Sequence, residues 1–588
     1  MSSEAWIATG VVVAVFVVLA SGRYPPYLVL LGGLTALLAG GIIDSGEALT
    51  GFSNSGVATV GVLYVVAAGM KQSGALAFLV SRAMGRPRTV RAAQARMIIP
   101  VTIGSAFLNN TPLVAMLLPV VMDWSRSLRI PASKLLLPLS YAAILGGLCT
   151  LIGTSTNLIV HGLLLADGKP GLGMFEITWI GLPCAVLGSA LLMWMARRYL
   201  PGYESALRIP DDPREYTVEM RVAARGPLVG KNIENAGLRH LPGLYLMEIH
   251  RGGHILPVVD PGERLEANDQ LVFVGVVDSV VDLQQILGLE PTTEQVFKLD
   301  SHRSLRCFAE AVISRTHPLV GQSIREGRFR NLYNAVVIAV SRNGERVQGR
   351  IGDIQLHAGD SLLLEALPSF VEQHRNSSDF YLVSRLGDAG PPTTAQAPLA
   401  MVILAVMVAV VAAGWLSMLQ AALLAAGAML LARCCSEDTA RRSIDWPLLL
   451  AIGSSFGLGI ALQKTGAAQS LAHLLLDQAG NHPWLALAAI YATTTIISEF
   501  VTNNAAAVIV FPIAMATANT LHVSYMPFVI AVTVAASASF ASPLGYQTHL
   551  MVYGPGSYRL RDFVRMGIPM NLLLWIITTG LVPFIWPF

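Results

Sequence analysis

Two kinds of hydrophobic pattern alternate along the chain. Over 1–202 and 391–588 the apolar residues run almost unbroken, in stretches of about 15 residues or more. Such runs suit helices that cross a bilayer, whose core needs about 20 apolar residues per span. Over 203–390 they give way to short stretches such as LYLMEIH, LVFVGV, AVVIAV and SLLLEA, set between Gly, Asn, Asp and charged residues. These read as short strands joined by turns. The predicted fold is a polytopic α-helical membrane protein in two blocks, interrupted by a water-soluble α/β insert.

Basic residues orient the blocks, because Lys and Arg collect on the cytoplasmic side. The first block has apolar runs near 5–20, 27–43, 57–71, 97–122, 135–166 and 177–196. Arg23 marks one cytoplasmic loop, and Arg82, Arg86, Arg88, Arg91 and Arg96 mark the next. Arg126, Arg129 and Lys134 follow the fourth run, and Arg197 and Arg198 the last. Basic clusters therefore flank 97–122 on both sides. A segment with two cytoplasmic ends must enter and return, with its tip near Asn109 and Asn110. The block then crosses five times, from an outer N-terminus to the cytoplasm.

The second block has runs near 397–415, 417–432, 446–463, 484–516, 525–553 and 566–587. Arg433, Arg441 and Arg442 mark one cytoplasmic loop, and Arg559, Arg561 and Arg565 another. Its hairpin, 484–516, opens from the outer face. Equal element order with opposite orientation is an inverted repeat, the architecture of secondary transporters.

Internal sequence matches support the repeat. TIGSAFLNNTPLVAMLLP (102–119) lies on TIISEFVTNNAAAVIVFP (495–512) without a gap, sharing Thr102/Thr495, Ser105/Ser498, Phe107/Phe500, Asn110/Asn503 and Pro119/Pro512. GTSTNLIVHG (153–162) lies on GYQTHLMVYG (545–554) in nearly the same register.

Composition sharpens the picture. Of 588 residues 53% are hydrophobic and 13% charged, against roughly a quarter charged in soluble chains, and mean hydropathy is +0.57. The insert 203–390 holds 45 of the 77 charged residues, leaving 32 for the other 400 positions. A net charge of +3 gives no footprint for nucleic acid. The five cysteines (Cys149, Cys184, Cys307, Cys434, Cys435) lack CxxC spacing, so neither a disulfide framework nor a zinc site is expected. MSSEAWIATG lacks the basic start of a secretory signal, and the run 5–20 reads as a first membrane helix.

The candidate chemistry lies in four polar clusters at membrane depth. Asn109-Asn110-Thr111-Pro112 and Thr502-Asn503-Asn504 form the hairpin tips; GTSTN (153–157) and SPLGYQTH (542–549) read as unwound stretches inside helices. Irregular backbone in a membrane is tolerated where it lines a cavity. Helix ends there attract ions, and Asn offers both donor and acceptor. Neither tip carries Lys or Arg, so an anion would be held by neutral dipoles and by a co-bound cation. Glu499, opposite Ala106 in the repeat, is read as a partner to a hairpin N–H, with proton relay as the rival. His161 is read as packing, whereas His549 stands where the first half has Asn157, beside the site.

The insert contains a direct repeat at a shift of 91. PLVGKNI (227–233) lies on PLVGQSI (318–324), Arg251 on Arg342, and Asp269 on Asp360. Two modules follow, 203–300 with a core of 216–288 and 301–390 with a core of 305–372. GPLVGKN is one residue short of a phosphate-binding loop and has Asn where Ser or Thr is needed. No GxGxxG follows a strand, so the insert is expected to regulate or oligomerise rather than catalyse.

The paired tips and SPLGYQTHLMVYGPG resemble the divalent-anion:sodium symporter family of the ion transporter superfamily, over both membrane blocks. That family's tips read Ser-Asn-Thr; here the middle Asn is kept and its neighbours differ. The insert resembles two tandem TrkA C-terminal domains, a combination found in a bacterial and algal branch assigned to sulfate. The resemblance implies one sodium at Ser105, Asn109, Asn110 and Gly153, and a second at Ser498, Thr502, Asn503, Ala541 and Gly545. It implies substrate contacts from Asn110, Thr111, Asn503 and Asn504, with Thr156, Asn157, Thr548 and His549 in the facing walls. It also implies a homodimer, an elevator-type motion, and a small-molecule or nucleotide regulator at the insert.

The expected function is sodium-coupled symport of a small divalent anion across the inner membrane, without an organic cofactor. Sulfate comes first and a C4-dicarboxylate second. A proton-coupled exchanger using Glu499, a gated channel and a membrane sensor are the rivals. The chain is not expected to be an enzyme.

Overall fold

The computed structural model describes residues 2–20, 24–75, 84–200, 202, 217–238, 244–252, 254–256, 262–275, 286–291, 307–314, 317–342, 345–347, 351–374, 377, 379–385, 396–479, 482–543 and 545–588. Arg82 and the junction of the two modules at 300/301 lie outside them. The chain divides into two compact units, Met1–Tyr203 with Ala389–Phe588, and Glu204–Asp388.

The first unit is helical. Its first half comprises α1 (Ser3–Ala20), α2 (Pro26–Ala39), α3 (Ser45–Leu49), α4 (Ser55–Gln72), α5 (Val90–Ser105), α6 (Asn110–Leu128), α7 (Leu136–Gly147), α8 (Ser155–Ala166) and α9 (Thr178–Tyr199). The second half comprises α10 (Ala397–Ala412), α11 (Met418–Leu431), α12 (Glu437–Ser443), α13 (Trp446–Lys464), α14 (Ala467–Ala479), α15 (Pro483–Phe500), α16 (Asn503–Thr520), α17 (Met526–Ser537), α18 (Gln547–Tyr553) and α19 (Leu560–Ile585). The spacing seen in sequence persists in the helix starts: Pro26 pairs with Met418, Asn110 with Asn503, and Ser155 with Gln547.

Among the described residues α9, α13 and α19 are long and apolar enough to span a membrane alone. Several other apolar helices are shorter because the chain breaks within them, at 106–109, 148–154, 501–502 and 538–546. The α5–α6 and α15–α16 hairpins outrun the apolar stretches 97–122 and 484–516 at both ends. Arg91, Arg126 and other polar residues near their ends are tolerated because long side chains reach the interface.

The two halves interlock. At the end of α4, Gln72 Oε1 accepts from the backbone N–H of Ser436, the residue before α12, at 3.1 Å. In the matching place Lys464 Nζ, at the end of α13, donates to Glu47 of α3 at 2.8 Å. The hairpin helix α16 packs on α8, and α18 packs on α6, so each half's hairpin meets the other half's interrupted helix.

Among the described residues the second unit holds two five-stranded sheets. The first is built from β1 (Thr217–Val222), β2 (Leu244–Arg251), β3 (His254–Leu256), β4 (Gln270–Gly275) and β5 (Leu289–Pro291), and the second from β6 (Cys307–Ile313), β7 (Ala335–Arg342), β8 (Glu345–Arg346), β9 (Ser361–Ala366) and β10 (Phe380–Arg385). Their strand orders, β3-β2-β4-β1-β5 and β8-β7-β9-β6-β10, are the same order twice. Every pairing between these strands is antiparallel, and among the described residues the second sheet is accompanied by two short helices, Phe329–Tyr333 and Pro368–His374. Strands paired through tight turns need no crossover helix.

The repeated residues explain the repeated sheet. Arg251 reaches Asp269 at 2.9 Å with both Nε and Nη2; Arg342 does the same to Asp360, at 2.8 and 2.7 Å. Both aspartates are 1% exposed. Each also accepts a backbone N–H, from Glu266 and His357. The near-miss phosphate loop is a turn: Gly230 and Gly321 both sit at φ +84° and donate to Leu265 and Leu356 carbonyls.

In the second module His317 is enclosed by the rings of Phe329, Tyr333 and Phe380, and its Nδ1 accepts from the Leu319 N–H. Burial pushes its pKa down to about 4, with nearby Asp379 opposing that shift. The unfolded chain then binds the extra proton between about pH 6.5 and pH 4, so stability falls as pH falls through that window. Acidification from pH 7 to pH 5 is expected to cost this module about 2 kcal/mol. Thermal melting of wild type and His317→Gln at both pH values checks this. A variant that keeps the full pH dependence contradicts it.

Candidate functional site

The chain breaks bring four helix starts together. Asn110 opens α6, Ser155 opens α8, Asn503 opens α16 and Gln547 opens the short α18. Side chains link them in a ring. The Asn110 amide meets Tyr546 Oη at 2.6 Å, and Thr111 Oγ1 donates to Gln547 Oε1 at 3.3 Å, joining the first hairpin to the second break. Thr154 Oγ1 lies 3.1 Å from the same Tyr546 hydroxyl. Ser155 and Thr156 donate to Asn504 Oδ1 at 3.2 and 3.1 Å, joining the first break to the second hairpin. Asn503 is a further polar neighbour of Tyr546. The long helices α6, α8 and α16 thus aim their positive ends at one buried polar centre, the arrangement that favours an anion.

Oxygens cluster beside this centre. The Asn110 amide is assigned with its nitrogen donating to Ser105 Oγ (2.6 Å), Ala143 O (2.9 Å) and Gly153 O (3.3 Å), and its oxygen accepting from Tyr546. The three oxygens facing that amide are a donor set that suits a hard monovalent cation once the amide oxygen turns inward. In the second half Ser498 Oγ donates to Ala536 O at 2.7 Å, matching the 2.7 Å bond from Ser105 to Ala143. Two glycines let the breaks close. A Cβ on Gly153 would stand 2.5 Å from the Gly147 carbonyl oxygen, and one on Gly545 would overlap Ser539 Oγ.

Other expected site residues fall as follows. Thr502 caps α16 by accepting from Ala505 N–H, and Ala541 presents its N–H to Glu499. Asn109 makes no cap bond and lines a narrow crevice with Tyr64, Phe107 and Leu158. Thr548 meets Ser140 at 2.8 Å. Asn157 and His549, expected in the walls facing the anion, have their donors committed to the breaks. Asn157 Nδ2 donates to Gly147 O (3.2 Å) and Thr150 O (2.8 Å). His549 Nε2 lies 2.9 Å from Ser539 O, and its Nδ1 accepts from Ser140 at 2.8 Å. Gly147 and Ser539 are themselves paired by the repeat, so the two side chains do one job.

Glu499 is bonded to the second break rather than to a hairpin N–H. Oε1 accepts from Phe540 N–H (3.1 Å), Ala541 N–H (2.9 Å) and Asn571 Nδ2 (2.7 Å), and Oε2 from Ser542 N–H (2.7 Å). Its counterpart Ala106 offers a backbone carbonyl to Thr150 Oγ1. Sequence reasoning passed over Tyr546, Gln547, Ser140 and Ser155. The first two and Ser155 sit inside the GYQTH and GTSTN match, so polarity in that aligned window was the available signal. Ser140 lies in an apolar helix and gave none.

The family model described as citrate transporter matches residues 15–585. A Chlamydomonas reinhardtii protein, provisionally named a sulfur deprivation response regulator, is 37% identical over 563 residues, covering 92% of this chain and 95% of its own. Sodium/sulfate cotransporter 1 of the same alga is 27% identical over 790 residues, covering 98% of this chain and 90% of its own. An uncharacterized transporter of Synechocystis is 30% identical over 574 residues, 94% of this chain and 92% of its own. This multi-pass membrane chain belongs to the citrate transporter family.

Proposed function

We propose that the chain is a sodium-coupled symporter of a small divalent anion, sulfate first. The observation that carries this is the ring of helix starts from both halves around Asn110, Asn504 and Tyr546, in a chain whose similar proteins include named sodium/sulfate cotransporters. Helix dipoles, amides and hydroxyls hold the anion: Asn110, Thr111, Asn503 and Asn504 from the tips, Thr156 and Thr548 from the breaks. Asn157 and His549 brace those breaks from behind.

One sodium is assigned to Ser105, Asn109, Asn110 and Gly153, and a second to Ser498, Thr502, Asn503, Ala541 and Gly545. Without a Lys or Arg at the tips, co-bound sodium offsets the anion's charge in a medium of low dielectric. That makes anion binding depend on sodium and gives the coupling its physical basis. The halves form an inverted repeat, supported by their matched helix starts and by the paired serine bonds at Ser105 and Ser498. The hairpins and broken helices travel as one elevator-like body within a homodimer. The chain lies in the inner membrane, and the basic loops support an orientation with the insert in the cytoplasm, where two TrkA-C-like modules regulate it. A C4-dicarboxylate is the second reading, and the family's citrate description supports it only as far as a carboxylate substrate.

Uptake of radiolabelled sulfate into proteoliposomes, with and without an inward sodium gradient, tests the proposal. Sodium-dependent accumulation is expected. Uptake of succinate alone would replace the substrate, and uptake indifferent to sodium would remove the coupling.

A further inference from the structure

We propose that Tyr546 sets the size of the transported anion, admitting a compact oxyanion and excluding an elongated dicarboxylate; this rests on the symporter reading above. The internal repeat aligns Tyr546 with Thr154, and the two side chains touch at 3.1 Å. The site is therefore built from two tips and two breaks, and at this position one wall carries a small hydroxyl and the other a phenol.

That phenol reaches the centre of the ring. Its hydroxyl meets the Asn110 amide at 2.6 Å and has Asn503 of the opposite tip as a neighbour. Tyr546 is 7% exposed, and its ring centroid lies 6.0 Å from that of His549. His549 is in turn held through both ring nitrogens, so the aromatic wall behind Tyr546 is fixed. A side chain backed in this way gives little ground to a longer ligand. It both offers an O–H donor to an anion between the tips and occupies the space a second carboxylate would need. Thr154, in the equivalent place, does only the first.

The test uses the full-length protein in proteoliposomes, with radiolabelled sulfate under a sodium gradient and succinate as competitor or labelled substrate. Tyr546→Phe keeps the ring and removes the donor. It is expected to raise the KM for sulfate about tenfold while succinate stays excluded. Tyr546→Thr makes the two walls alike and is expected to admit succinate, seen as sodium-driven succinate uptake and as inhibition of sulfate uptake. A wild-type KM in Tyr546→Phe overturns the assignment, as does sulfate transport by Tyr546→Thr with no response to succinate. Should Tyr546→Thr not fold, Tyr546→Leu, which also removes the aromatic wall, carries the size test, and sulfate transport by it with no response to succinate overturns the assignment. Wild-type uptake of succinate beside sulfate overturns the size role alone. Wild-type vesicles that take up no sulfate overturn the symporter reading and this assignment with it.

Discussion

Alanine at Asn110 or at Asn503 is expected to lower sodium-driven sulfate uptake at least about a hundredfold, with the protein still folded. Asn110 is 1% exposed and stands where three contacts meet: the tip of the first hairpin, the oxygens of Ser105, Ala143 and Gly153, and the Tyr546 hydroxyl. Removing the amide takes a ligand from the sodium cluster and a donor from the anion centre together. Hydrogen bonds to charged groups are worth about 1.5–3 kcal/mol each, and every 1.4 kcal/mol is tenfold in affinity. Two such losses account for a hundredfold effect. Asn503 holds the equivalent place and is expected to behave alike. Fold is retained because the hairpin helices keep their packing. Uptake kinetics together with thermal melting check this, and near-normal transport by both variants would contradict the site.

The second large effect is at Glu499. Alanine there strands the N–H groups of Phe540, Ala541 and Ser542, each costing about 1–3 kcal/mol when unpaired and buried. The expected result is a fall in melting temperature and loss of sodium-driven uptake, because the break that carries Ser539, Ala541 and Gly545 loses its anchor. Glu499→Gln retains a carbonyl oxygen for the pair of N–H groups at Oε1. It is expected to keep sodium-dependent uptake at reduced rate, with the pH profile of the wild type. A Gln variant of normal stability that moves no substrate, or transports without regard to sodium, would restore the proton-relay reading.

Much of this was legible before the structure. The shift of 393 that aligns Ser105 with Ser498 reappears as two equal bonds, to Ala143 O and Ala536 O, because matching local sequence is folded by the same local physics. The strands LYLMEIH and SLLLEA lie where their patterns put them, as β2 and β9. The tight turns of the insert announce its hairpins, but the strand order of each sheet was not legible, since short apolar stretches carry no record of their distant partners. Glu499 was misplaced by one element: sequence marks a buried carboxylate, but the N–H groups it satisfies lie about 40 residues on, across a tertiary contact. The repeat sets His549 opposite Asn157, which puts both in the walls facing the anion. In the structure both side chains bond to carbonyls of the breaks, Asn157 to Gly147 and Thr150 and His549 to Ser539, contacts that the sequence match alone does not reveal.

The central claim is that one buried centre, between both tips and both breaks, binds the anion. Selenate in place of sulfate, with sodium present, gives an anomalous selenium signal in crystals of the full-length protein. The account predicts a peak within hydrogen-bonding reach of Asn110, Asn503 and Tyr546 that disappears when sodium is replaced by choline. A peak confined to the sheets of the insert, or one at the tips that persists unchanged without sodium, would contradict it.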